Sequence, residues 1–335
     1  MTNKAYQNIG VIGAGAWGTA LAQTLAMAGR DVTLWGFETD CVDAINNSHE
    51  NKLYLPEVPL SPKVKATSHL MELSTCDALL SVTPAQHMRA TLAPLVKELA
   101  LGTPVMLCSK GIEISTQKFM SDVLKEIAPN VEPAVLSGPS FAIDVAKGLP
   151  TAVTLACEDT AIGKALADMI ATPHFRPYLA EDVLGAEIGG AVKNVLAIAC
   201  GLVLGLGLGR SAHAAIIARG FAEMRRLGRA LEADENTLAG LCGLGDLVLT
   251  CSSEQSRNMS CGLALGRGES LDDIMSARAA VTEGVATAPA LKALSQSVGI
   301  DMPISTAMAD ILSGKIDIPT ALRALLSRDL KHEQA

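Results

Sequence analysis

The stretch that most limits what this chain can fold into lies near its start. The apolar run NIGVI (8–12) leads into Gly13-Ala14-Gly15-Ala16-Trp17-Gly18, then the helical pattern TALAQTLAMAG, then a second apolar run DVTLW (31–35). Strand, glycine turn, helix and strand in this order make one βαβ unit. Within it the glycines divide the work. Gly13 permits the tight turn, Gly15 lets a pyrophosphate approach the backbone, and Gly18 allows the helix to close on the strand. The anion then sits at the helix N-terminus, where N–H groups are free to receive it. A dinucleotide cofactor is the expected ligand. The second strand ends in Trp35-Gly36-Phe37 with no acidic residue at its tip; Glu38 and Asp40 lie just beyond, and no arginine stands ready for a 2′-phosphate. NAD and NADP both stay open.

The chain has 335 residues, about right for two domains. Hydrophobic residues make up 49% but aromatics only 3%, so the cores must be built from Ala, Val, Ile and Leu, which suits helices over a parallel sheet. The expected fold class is α/β. Further strands are expected at ALLSV (78–82), PVMLC (104–108), 134–136 and 152–156, with the sheet ending near residue 175. From about Glu181 the periodicity turns helical, as in AAIIARGFAEMRRLGRAL and ALKALSQSV. The expected organisation is an N-terminal Rossmann-like dinucleotide-binding domain (1–185), then an all-helical C-terminal substrate and catalytic domain (186–335), with a cleft between them.

A net charge of -8 and the lack of any long Lys/Arg run argue against nucleic acid as a partner. The opening MTNKAYQNIGVIG lacks the pattern of an export signal, which places the protein in the cytoplasm. The eight cysteines form no C-x-x-C pair and read as buried reduced thiols, so no metal site is expected. The apolar run VLAIACGLVLGLGL (195–208) is shorter than the ~18 residues of a bilayer crossing and reads as a core helix, not a membrane span.

Four polar islands carry the chemistry. Lys193-Asn194 sits in IGGAVKNVLAIACG, where burying an unpaired ammonium is costly; the lysine lines a solvent-filled cleft, or has a lowered pKa that makes it a usable base, or snorkels from near a helix end. Lys110 follows a strand at the sheet edge where α/β proteins bind ligands. SGPSFA (137–142) also follows a strand, with Ser140 placed either for ligand or for an ordinary helix N-cap. GLGDLVLTCSSEQSRN (243–258) combines Asp246 and Thr250 with Ser256-Arg257-Asn258 at a helix start, where a guanidinium and backbone N–H groups can cradle a phosphate.

Together, GAGAWGTALA, LWGFE, SKGIE, LSGPSFA, GLPTAV, GGAVKNVLAIACG, GLGDLVLTC, QSRN and VTEGVAT span the chain from end to end, and in this order the chain resembles the bacterial-type NAD(P)-dependent glycerol-3-phosphate dehydrogenases. The resemblance implies interconversion of glycerol 3-phosphate and dihydroxyacetone phosphate, supplying phospholipid synthesis, by a homodimer. It makes Lys193 the proton acceptor; like-charge repulsion from Lys110 and the other cationic groups would lower its pKa. It implies a substrate set of Lys110, Gly138, Ser140, Lys193, Asn194, Asp246, Thr250, Ser256, Arg257 and Asn258. The dinucleotide would touch Ala16, Trp17, Phe37, Lys110, Ala142, Arg257, Val281 and Glu283, beside Gly13, Gly15 and Gly18. Ala16 and Phe37 depart from commoner forms of that family, in which Ser and a basic or polar residue stand there. A nucleotide sensor would have no need of the amines. A hydroxyacid dehydrogenase would share the fold but not the Gly-Leu-Gly-Asp and Ser-Arg-Asn blocks together.

Overall fold

The computed structural model describes residues 6–278, 281–329 and 332. Met1–Ala5, part of the stretch read for an export signal, lie outside the described residues. The strands are β1 (Asn8–Ile12), β2 (Asp31–Trp35), β3 (Val64–Thr67), β4 (Ala78–Ser81), β5 (Val105–Leu107), β6 (Pro133–Ser137), β7 (Thr151–Cys157) and β8 (Phe175–Ala180). They form one sheet in the order β3-β2-β1-β4-β5-β6-β7-β8. The first six pair in parallel, β7 runs antiparallel to β6, and β8 runs parallel to β7. The order of the first six is that of a doubly wound nucleotide-binding sheet, whose direction of winding reverses between β1 and β4; ligands bind beyond the carboxyl ends of the strands there. β4, β5 and β6 are buried along their whole length, as the covering of a parallel sheet on both faces requires.

β3 and β8 go beyond the sequence expectation, and the sheet runs to Ala180, not to about residue 175. Both are edge strands. VKAT is short and carries an exposed lysine, and FRPYLA contains Pro177, which suits an edge and weakens any strand signal. Beyond Ala180 the described residues contain helices and no strand.

The helical half is organised around one helix, Val183–Gly205, whose N-terminus is capped by the Asp182 carboxylate accepting from Gly185 N–H at 2.8 Å. It is apolar on every side and buried along almost its whole length, as a helix threaded through a core must be. Its 23 residues exceed the apolar run read from the sequence. Among the described residues it alone is long and apolar enough to cross a membrane by length and composition. Glycines let it meet the helix Arg257–Gly266 backbone to backbone. A Cβ on Gly201 would strike the Met259 carbonyl, one on Gly262 the Ile198 carbonyl, and one on Gly205 the Cα of Gly266. Gly262→Ala should therefore cost ~2 kcal/mol of stability: the gain in helix propensity, ~1 kcal/mol, does not offset ~3 kcal/mol of forced separation. Urea unfolding measures it, and an unchanged midpoint would mean the two helices yield freely.

Two helices start without a cap of their own and borrow one. Met120–Ile127 takes the Glu187 carboxylate, which accepts from Ser121 N–H at 2.8 Å; Pro303–Leu312 takes that of Glu223, which accepts from the N–H groups of Ile304 and Ser305 at 2.6 and 3.0 Å. Burial holds both carboxyls above their ordinary range, Glu187 at about 7, against these hydrogen bonds.

Candidate active site

Lys193 lies near the middle of the Val183–Gly205 helix, not near an end, and is only 6% exposed, so it does not snorkel. Its ammonium donates to Asp246 Oδ1 at 2.8 Å and to Thr250 Oγ1 at 2.9 Å. Lys110, on the loop after β5, donates to the other oxygen of Asp246, also at 2.8 Å. One carboxylate thus holds two amines brought from the sheet edge and from the core helix. Asp246 itself opens the helix Asp246–Ser252, which follows a single turn of π-helix at Leu241–Gly245. There Gly243 lies against the Leu238 carbonyl, and Gly189 of the core helix lies against that of Cys242.

The electrostatics follow from burial. Desolvation pulls Lys193 down to about 8, Asp246 pushes back, and Lys110 adds to the lowering. The like-charge repulsion expected from the sequence is therefore present but secondary to burial. Burial pushes Asp246 up, yet the two lysines outweigh it and hold the carboxyl below its usual value.

A second polar chain crosses the site. Asn194 Nδ2 points to the Lys110 carbonyl at 3.5 Å, Asn258 Nδ2 donates to Asn194 Oδ1 at 2.9 Å, and Asn258 Oδ1 accepts from Gly284 N–H at 2.9 Å. Both asparagines are buried; they tie together the core helix, the Arg257–Gly266 helix and the helix beginning at Glu283. Ser256 caps the Arg257–Gly266 helix, its Oγ accepting from Met259 N–H at 3.2 Å, and leaves the exposed Arg257 at the first helical position. Burial raises Glu283, at the start of the helix Glu283–Ser297, against the pull of Arg257, the Ala85 amide and both lysines.

Gly138, after β6, has φ of 150° and lies against Val153, so any side chain there is strained. Ser140 donates to the Gly138 carbonyl at 2.9 Å; the cap position of the next helix, Ala142–Ala146, belongs to Phe141, so Ser140 is not an N-cap. Ala142, Val281 and Phe37 offer no polar side chain to the lysine cluster, and Phe37 is 80% exposed at the tip of β2. Three strand spacings separate β2 from β5, about 14 Å. An extended dinucleotide laid along this edge has room to run from Phe37 to Lys110.

The glycine turn tests whether such a molecule fits. Gly13 is required by its φ of 115° and by Val82 beside it, and Gly18 because a Cβ would run into the Gly13 carbonyl. Nothing among the described residues stands within reach of a Cβ on Gly15, which would lie in open space. Trp17 Nε1 in the same turn and Thr83 Oγ1 just beyond β4 are buried with no hydrogen-bond partner among the described residues. A pyrophosphate fits where Gly15 leaves room. Glu38 donates no cap to its helix; its carboxylate accepts from the Tyr54 hydroxyl at 2.9 Å.

Sequence reasoning missed the groups that hold the Lys110 loop. Gln86 Nε2 donates to the Ile112 carbonyl at 2.7 Å, and Arg89 grips Glu113 at 2.9 and 2.8 Å. Glu113 stands inside SKGIE, but nothing local announces its partner, 24 residues away.

Residues 8–163 match the description "NAD-dependent glycerol-3-phosphate dehydrogenase N-terminus", and residues 182–323 match "NAD-dependent glycerol-3-phosphate dehydrogenase C-terminus". A protein of Maricaulis maris named glycerol-3-phosphate dehydrogenase [NAD(P)+] is 62% identical over 98% of this chain and 99% of its own; one of Caulobacter vibrioides with the same name is 57% identical over 98% and 99%. The crystal structure of a glycerol-3-phosphate dehydrogenase from Coxiella burnetii superposes with a TM-score of 0.93 at 38% identity, covering 96% of this chain and 99% of that one. Fold and relatives agree from end to end: the chain belongs to the NAD-dependent glycerol-3-phosphate dehydrogenase family.

Proposed function

We propose that the Lys193 cluster is the active site for interconverting sn-glycerol 3-phosphate and dihydroxyacetone phosphate. The observation that carries this is one buried carboxylate, Asp246, holding two amines, with burial bringing Lys193 down to about 8. When bound, NAD or NADP supplies the nicotinamide ring that accepts or returns the C2 hydride. Neutral Lys193 takes the proton of the C2 hydroxyl in oxidation; protonated Lys193 returns it to the carbonyl oxygen in reduction. Lys110 stabilises negative charge on that oxygen, and Asp246 with Thr250 fixes the Lys193 amine in line. Arg257 and the free N–H groups of its helix start grip the phosphate; Gly138, Ser140 and Ser256 shape the walls, and the Asn194–Asn258 bridge keeps them in register. Gly13, Gly15, Ala16, Trp17 and Gly18 seat the pyrophosphate, Phe37 the adenosine end, and Ala142, Val281 and Glu283 the nicotinamide end.

On this reading residues 1–185 bind the dinucleotide and 186–335 complete the substrate site. The Val183–Gly205 helix is then a core helix, not a membrane span; its near-complete burial supports that. The eight cysteines, all free and buried, suit a cytoplasmic setting. On the resemblance alone, the protein works as a homodimer and feeds phospholipid synthesis.

The test follows reduced-nicotinamide absorbance with dihydroxyacetone phosphate and NADH or NADPH in turn, then the reverse reaction, across pH. Reduction needs the protonated amine, so its rate should fall as pH rises through about 8; oxidation needs the neutral amine, so its rate should rise through the same value. Folded, nucleotide-binding protein that turns over with neither cofactor would overturn the substrate assignment, and parallel pH profiles in the two directions would overturn the role of Lys193.

A further inference from the structure

We infer that Asn51 is a positioning residue for the dinucleotide, aiming the glycine turn from outside the βαβ unit. The inference rests on the turn being the pyrophosphate seat.

Asn51 is fully buried, at 0% exposure, in a short turn closed by a bridge to Leu55. Its side-chain amide has two donor hydrogens and an oxygen with two lone pairs, and all four are used. Nδ2 donates to the Ala14 carbonyl at 2.8 Å and to Thr19 Oγ1 at 2.7 Å. Oδ1 accepts from Tyr54 N–H at 3.1 Å and from the Cys41 thiol at 3.3 Å. The Ala14 oxygen also receives Thr19 Oγ1 at 3.4 Å, so its partners are side chains.

That oxygen decides where the next amide points. In a planar trans peptide the carbonyl of one residue and the N–H of the next face opposite ways. Holding the Ala14 oxygen inward therefore turns the Gly15 N–H the opposite way, at a residue whose missing Cβ would stand in open space. A flip of this peptide would present an oxygen to the pyrophosphate in place of a donor. Gly15 offers little resistance to a flip, since glycine accepts either hand of backbone. The restraint comes from Asn51, 37 residues away in sequence. The same side chain orders Tyr54, whose hydroxyl reaches Glu38 beyond β2, so one strut serves the pyrophosphate and adenosine ends of the seat.

Asn51→Asp keeps the shape and the acceptor but sets a carboxylate oxygen against the Ala14 carbonyl. Asn51→Ser, smaller and neutral, serves should the carboxylate prevent folding. By calorimetry on the intact enzyme with NADH, or with NADPH if the assay selects it, the dissociation constant should rise on the order of tenfold, ~1.4 kcal/mol. The KM for dihydroxyacetone phosphate and kcat at saturating cofactor should stay within about twofold, consistent with a lost backbone restraint of the usual hydrogen-bond size. A folded variant that binds the cofactor like the parent overturns the inference. So does one whose kcat falls and both KM values rise in step with a drop in its unfolding midpoint, the pattern of a merely structural residue. Gly15→Val separates the two layers. If it binds the cofactor normally, the pyrophosphate seat itself is misplaced; if it loses binding while the Asn51 variants keep it, only the role of Asn51 falls.

Discussion

Lys193→Met should lower kcat in both directions by ~10³-fold, within the range for removal of a general acid–base group, while dinucleotide affinity stays within about twofold of the parent. The methionine occupies a similar volume among the same apolar neighbours, so the core helix has no reason to move. Asp246 keeps Lys110 at 2.8 Å and is not left as an uncompensated buried charge. What disappears is the one amine whose burial brings it to about 8. The residual rate should lose its inflection near that pH. Turnover comparable to the parent in steady-state assays would remove Lys193 from the proton path.

Asp246→Asn should act on rate, pH profile and stability at once. The carboxylate is 1% exposed and, among the described residues, is the only acid bonded to either amine of the pair. Without its charge, burial and Lys110 depress Lys193 unopposed, so its titration should move below about 8. The oxidation profile then shifts to lower pH, and reduction at neutral pH loses the protonated amine it requires. With the amide no longer fixing both lysines, kcat/KM for reduction should fall ~10²-fold or more, the scale of a misplaced catalytic group. Breaking a buried ion pair on one side costs about 3–5 kcal/mol, so the unfolding midpoint should drop as well. A profile that stays put while the rate falls would mean that Asp246 positions the amines without setting their charge.

The local parts of this architecture were legible in the sequence, and the non-local parts were not. NIGVI, the glycine turn and DVTLW announce themselves within thirty residues or so, because periodicity and turn chemistry act over that range. VKAT and FRPYLA give no such signal, because an edge strand is defined by the neighbour it pairs with, not by its own pattern. Lys193 stood out as a charge in an apolar run. That Asp246 would hold both it and Lys110 needed the fold, since the partners lie 53 and 136 residues away. Asn51, in the featureless HENKLYLP, could not be found at all without coordinates. Glu187 and Glu223 were equally silent, since each caps a helix elsewhere in the chain, from 66 and 81 residues away.

Gly15 has a thermodynamic consequence for the protein on its own. With φ of -67° and ψ of 179° its backbone is open to any residue, and its missing side chain would touch nothing. Alanine there would restrict the unfolded chain, a gain of ~0.4–1 kcal/mol, but Gly15 is the N-cap of the Ala16–Met27 helix, a position where alanine is the poorer residue. The two effects oppose each other at similar size, so the empty protein gains little from either residue, and the vacancy has value only when another molecule fills it. The Cβ that Gly15 does not have is thus felt by a bound molecule and hardly at all by the fold.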